Sequence, residues 1–200
     1  MSTANVITLS RLPLLGLVAI LLYAPGGAAA WTALGLLPVL YLMDWFDGFL
    51  ARHQNQVSDL GGVLDIAIDR VVENVLWIVF AHQQRVPVWV PVLFITRSFV
   101  VDGLRGYALA KGYSAFGMMS SPGGRFLVAG RFMRGLYGLA KGLAFGALAL
   151  QAARAGGGGA PPPAWLDVAT QGLVYFSVGL CVLRGVPVLL DIRALLDDAA

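Results

Sequence analysis

The sequence predicts an all-α integral membrane protein: six transmembrane helices in one bundle, with the N- and C-termini cytoplasmic. Three observations carry this expectation. Of the 200 residues, 58% are hydrophobic and only 12% are charged, against roughly 25% charged in a soluble domain. The mean hydropathy is +0.76. Apolar runs close to the roughly 20 residues that a bilayer crossing needs recur along the whole chain. A water-soluble globule of this size would need more polar surface, so a soluble enzyme, a disordered chain and a coiled coil are excluded. The net charge is +3, and its 14 Lys and Arg are spread thinly, which excludes nucleic acid as a partner. The single cysteine, Cys181, rules out an internal disulfide and a cysteine-based metal cage.

The expected spans are 8–28, 31–51, 60–82, 87–110, 126–152 and 165–190. The first follows Arg11 with an apolar core from Leu12 to Tyr23, and Pro25-Gly26-Gly27 turns the chain after it. Its outline is also that of a signal peptide, but apolar spans follow it with no soluble domain between them, so it reads as a helix of the bundle. The second ends with Asp44 and Asp47; the third carries Asp65, Asp69, Arg70 and Glu73. The fourth carries Arg97, Asp102 and Arg105, the fifth Arg131, Arg134 and Lys141, and the sixth Arg184. Ala155 to Ala164 is a Gly/Pro-rich loop. The chain reads as one domain over residues 1–200. With the N-terminus inside, the cytoplasmic ends collect Arg11, Arg52, Lys111, Arg125 and Arg193, and the other side only Arg85 and Arg154.

Ionisable groups inside spans are costly and mark function. Asp44 and Asp47 are three apart, and Asp65 and Asp69 four apart, so each pair shares a helix face. The pairs sit at the facing ends of consecutive antiparallel helices, so all four carboxylates can meet at one depth. Four carboxylates together need compensation, from a hard divalent cation with oxygen ligands or from nearby arginine. A plain charge network, with the aspartates paired to Arg52 and Arg70, is the structural alternative. Small residues on the same faces, Gly48, Ala51, Gly61 and Gly62, allow close approach of a helix or a ligand.

From Asp44 to Asp69 the sequence reads DWFDGFLARHQNQVSDLGGVLDIAID. It resembles the motif of the CDP-alcohol phosphotransferases, D-x2-D-G-x2-A-R-x8-G-x3-D-x3-D, and fills every fixed position: Asp44, Asp47, Gly48, Ala51, Arg52, Gly61, Asp65 and Asp69. Asn5 to Arg11 is similar to the N-terminal Asn…Thr…Arg segment of that family, with Ala4 where proline is usual. The resemblance implies transfer of the phosphatidyl group of CDP-diacylglycerol to an alcohol, with release of CMP. It implies two Mg2+ or Mn2+ ions serving both ends of the displacement. Asp44, Asp47, Asp65 and Asp69 are then the metal ligands, and Asp69 the general base for the acceptor hydroxyl. Gly48, Ala51, Arg52 and Gly61 would face the CDP-lipid, with Thr8 and Arg11 at the same mouth. The family also implies a homodimer.

The cations of the fourth and fifth spans suit a phosphate-bearing acceptor. Arg97, Arg105, Arg131, Arg134 and Lys141 are the candidates, with pairing to Asp102 and the other carboxylates as the alternative. Arg97 to Gly112 is similar to the corresponding segment of phosphatidylglycerophosphate synthases, which read Arg-Asp or Arg-Glu where this chain has Arg97-Ser98. Gly130 to Arg134 is similar to their Gly-Lys-x-Lys-Thr stretch. Glycerol 3-phosphate is therefore the first acceptor expected and inositol phosphate the second. The expected place is the cytoplasmic membrane of a bacterium or archaeon, with the site facing the cytoplasm. A divalent-metal transporter is the competing class; it would need carboxylates near the bilayer midplane and a route to both sides, and here they lie toward one interface beside arginines.

Overall fold

Glycine, proline and charge set the helix ends. The structure is a computed structural model that describes residues 3–53, 59–110, 122–156 and 162–197, and the side chains of these except 3–4, 47–53, 59–60, 122 and 191–197. Seven helices follow one another in it: α1 (Thr3–Tyr23), α2 (Gly27–His53), α3 (Asp59–His82), α4 (Trp89–Ala110), α5 (Pro122–Ala129), α6 (Arg131–Gly156) and α7 (Ala164–Asp197).

Gly26 ends the turn after α1 with φ 95°, a conformation open to glycine and strained for other residues. α3 closes with a left-handed cap. Gln84 takes φ 58°, its N–H donates to the Ala81 carbonyl at 2.9 Å, and the Arg85 N–H donates to the Phe80 carbonyl at 3.0 Å. These are the two bonds of a Schellman motif, and Pro87 follows it where the chain can no longer be helical. The Gln83 amide then donates to the Leu22 carbonyl at 2.8 Å, tying this turn to the end of α1. Burial pushes the Arg85 guanidinium below its ordinary pKa, and the nearby Asp167 charge opposes that shift.

The described chain forms two compact units. The first comprises Met1–Pro87 and Gly142–Thr170. In it α1 packs along α2 and α3. Its core joins Val18, Leu37, Leu40, Leu76, Trp77, Phe80, Phe145 and Leu148, all buried. The Phe145 ring lies 4.5 Å from that of Trp77 and 6.1 Å from that of Phe80. A side chain at Gly156 would meet the backbone of Gly27 at van der Waals distance, so the end of α6 lies beside the start of α2.

The second unit comprises Val88–Lys141 and Gln171–Ala200. Val101, Ala108, Val128 and Val188 form its core, with Leu104 and Leu127 against them. Trp89 and Tyr175 stack with ring centroids 6.2 Å apart. α5 and α6 meet at Gly130, whose N–H donates to the carbonyls of Arg125 and Phe126, both at 3.1 Å. A Cβ at this position would collide with the Phe126 carbonyl oxygen.

The expectation of six transmembrane helices is corrected. Of the seven described helices, four contain a segment long and apolar enough to cross a membrane: Asn5–Tyr23, Gly27–Phe46, Arg131–Gly156 and Ala164–Leu190. The physical reason is charge. α3 carries Asp59, Asp65, Asp69, Arg70 and Glu73, and α4 carries Arg97, Asp102 and Arg105, too many ions for the apolar stretch a crossing requires. The fifth expected span, 126–152, is also divided, because the chain breaks helix at Gly130. Large apolar side chains point outward on the four apolar helices, with Ile20 68%, Leu42 62% and Val168 73% exposed. Such a surface belongs in lipid, and the protein is an integral membrane protein.

Candidate active site

The i, i+4 spacing that aligns Asp65 and Asp69 on α3 brings both to Asp44 of α2. Each of the three offers a carboxylate oxygen, and these atoms all lie within 4.8 Å of one another. Hard oxygen donors grouped in this way suit a divalent cation, so the residues fit a metal of the kind the motif implies. Asp47, Gly48, Ala51 and Arg52 lie on α2, and their side chains fall outside the described residues.

Like charges this close need a counter-charge. Arg11 of α1 supplies one: Nη1 donates to Asp44 Oδ1 at 2.6 Å and Nη2 to Asp69 Oδ1 at 2.8 Å. The Arg11 side chain is 2% exposed, whereas those of Asp44 and Asp69 are 36% and 45% exposed. Arg11, expected at the nucleotide mouth, is thus buried against the carboxylates. Thr8, one turn before it on α1, is buried too, and Gly61 is half-buried near the start of α3. One turn beyond Asp69, the buried Glu73 accepts a bond from Arg70 Nη1 at 3.1 Å. Among the described residues, therefore, arginine pairs with three carboxylates of this site, Asp44, Asp69 and Glu73.

The second unit holds a separate cluster, of cations. Around the buried Tyr137 ring stand Lys141 Nζ at 4.2 Å, Arg184 Cζ at 5.4 Å and Arg97 Cζ at 5.8 Å from its centroid, within cation–π range. Arg105 and Arg134 are close enough to act on the Arg184 charge. Arg105 Nη1 also lies 3.7 Å from Asp102 Oδ1. Arg131 is exposed at the start of α6 and makes no ion pair or ring contact among the described residues. Arg184 is 5% exposed and donates from Nη2 to the Val128 carbonyl at 3.2 Å. Its Nε and Nη1, with Nε of Arg97, are buried without a hydrogen-bond partner among the described residues. Gly185 makes room here, since a side chain at that position would press on Arg97. Buried, unmatched guanidinium donors are what an anion would satisfy. Arg184 and Tyr137 were not among the sequence candidates for this site. The available signal for Arg184 was a lone arginine deep in an apolar span; nothing in the sequence marked Tyr137.

Comparison with known proteins finds relatives that carry the names of phospholipid-synthesis enzymes. A CDP-diacylglycerol–glycerol-3-phosphate 3-phosphatidyltransferase of Bacillus subtilis (strain 168) is 31% identical over 116 residues, 50% of this chain and 58% of its own length. A protein of Mycobacterium tuberculosis (strain ATCC 25618 / H37Rv) that carries the name of a cardiolipin synthase is 33% identical over 111 residues, 56% of this chain and 51% of its own. An enzyme of Rickettsia typhi (strain ATCC VR-144 / Wilmington) with the same name as the Bacillus one is 28% identical over 108 residues, 54% of this chain and 61% of its own. The chain thus spans a little over half the length of these relatives. The sequence model of the family described as CDP-alcohol phosphatidyltransferase matches residues 1–153. With the filled motif and the clustered aspartates, this match places the chain in the CDP-alcohol phosphatidyltransferase family.

Proposed function

We propose that the protein transfers the phosphatidyl group of CDP-diacylglycerol to a phosphate-bearing alcohol, with glycerol 3-phosphate as the first acceptor, and releases CMP. The observation that carries this reading is the meeting of Asp44, Asp65 and Asp69 within 4.8 Å, at three of the fixed positions of a phosphotransferase motif. Asp69 accepts the proton of the acceptor hydroxyl. The hydroxyl oxygen forms its bond to the phosphorus that bears diacylglycerol, and the bond from that phosphorus to the CMP oxygen breaks, CMP leaving with the electron pair. Asp44, Asp47 and Asp65, joined by Asp69, hold the divalent cations, two by resemblance to the family. When bound, Mg2+ or Mn2+ supplies Lewis-acid charge to the pyrophosphate. Gly48, Ala51, Arg52 and Gly61 accommodate the nucleotide side, with Thr8 of α1 nearby in sequence to Arg11. Arg97, Arg105, Arg134, Lys141 and the newly found Arg184 take the acceptor phosphate; the unmatched donors on Arg97 and Arg184 support that role. Arg131 is the weakest member of the set, being exposed.

Inositol phosphate is the second acceptor, since the same cations serve any phosphate monoester. The reading also places the site on the cytoplasmic side of a bacterial or archaeal membrane and the chain in a homodimer. The test is CMP release by purified protein given CDP-diacylglycerol, Mg2+ and a panel of glycerol 3-phosphate, inositol phosphate, serine and phosphatidylglycerol. Release with glycerol 3-phosphate, abolished by EDTA and restored by Mg2+ or Mn2+, is expected. Silence with every acceptor, together with divalent-metal flux in proteoliposomes, would replace the transferase by a transporter.

A further inference from the structure

Arg11 is among the largest side chains in the protein that are fully buried, with 1% of its surface exposed. A guanidinium this deep is tolerated where its charge and its donors are matched. Two of its nitrogens are matched by carboxylates on two different helices, Asp44 of α2 and Asp69 of α3. Each bond occupies one oxygen, Oδ1, of a half-exposed carboxylate. Arg11 is buried and both carboxylates are half-exposed, so its two bonds reach them from the interior. The third group, Asp65, stands one turn from Asp69 on α3.

We propose that Arg11 is the positioning residue for metal loading. Its fork fixes Asp44 and Asp69 so that their remaining oxygens join Asp65 around a divalent cation, and it keeps both bonds while the cation is held. The proposal rests on the reading of the carboxylates as metal ligands. Charge supports it: Asp44 and Asp69 share a single guanidinium, so their negative charge is only partly offset and favours a cation beside them. Geometry supports it further, because only a planar fork bonds two carboxylates at fixed angles, while a lysine ammonium is a single point charge. Removing a group that orients metal ligands costs about 10–100-fold in metal affinity.

The experiment is Mn2+ binding to the purified full chain without substrate, read by the electron paramagnetic resonance of free Mn2+. Wild type binds Mn2+, and Arg11→Lys, which keeps the charge and loses the fork, binds it at least about tenfold more weakly. Wild type that takes up no Mn2+ overturns the metal reading and the proposal with it. Wild type and Arg11→Lys binding Mn2+ equally overturn the Arg11 proposal alone. CMP binding weakened in Arg11→Lys with Mn2+ affinity intact would instead make Arg11 a nucleotide ligand, which also overturns it. Should the lysine variant not fold, an experimental structure of the Mn2+-loaded wild type decides: Arg11 within hydrogen-bond distance of both Asp44 and Asp69 is expected, and a guanidinium moved off either carboxylate refutes the proposal.

Discussion

Arg184 is buried beside other cations, an arrangement that raises the free energy of the unliganded protein through repulsion and unmet donors. An anion that binds there relieves both. Arg184→Ala should therefore raise the KM for glycerol 3-phosphate by about 10–100-fold, the worth of a hydrogen bond to a charged group. The KM for CDP-diacylglycerol should move little, and steady-state kinetics with each substrate varied in turn will tell them apart. Asp69→Asn keeps an oxygen that accepts from Arg11 and loses the proposed base. Turnover should fall by about 10²–10⁴, while Mn2+ binding, followed by paramagnetic resonance, persists through Asp44 and Asp65. The meeting of Asp44, Asp65 and Asp69 was legible because the motif is local and its spacing obeys the helix period. Tyr137 and Arg184 were not, since they stand 47 positions apart in the chain and only the tertiary fold makes them neighbours. Arg11 was singled out for its position in a family-like segment, but which group it would touch depends on how α1 meets α2 and α3.

At the scale of helices, the junction of α5 and α6 depends on one glycine. No proline marks it, and glycines are common throughout this chain, so a single long span was the natural reading of the sequence. The structural difference is that Gly130 lies against the Phe126 carbonyl with no room for a Cβ. Gly130→Ala should lower stability by about 1–3 kcal/mol, the usual cost of forcing an extra carbon into a filled space, seen as a lower Tm in detergent. Gly138→Ala is the control, because nothing lies within 4 Å of the added carbon; alanine there should leave Tm unchanged or raise it. The number of apolar helices was misjudged for a related reason. Hydrophobic content alone made α3 and α4 look like the others, whereas their ions set them apart.

For the whole molecule, the proposed orientation, which rests on the distribution of arginine and lysine, has the site toward the cytoplasm. In sealed vesicles containing CDP-diacylglycerol, glycerol 3-phosphate added outside should support CMP release when the vesicles are inverted, and not when they are right side out; equal activity in both would place the site on the other face. Composition was enough to assign the protein to a membrane, and the motif to assign its family, because both are properties of residue type and local spacing. The division into two units was hidden, since it depends on contacts between distant segments.

That division bears on how the protein can be made. The chain passes from one unit to the other at Pro87, Lys141 and Thr170, so neither unit is a continuous stretch of polypeptide. During synthesis the aspartates emerge by residue 69, yet Trp77 and Phe80 wait for Phe145 to cover them. A stop codon after Lys141 therefore does not release an intact first unit, and a gene cut between Val88 and Thr170 yields two fragments that must find each other in the bilayer before either has its full core.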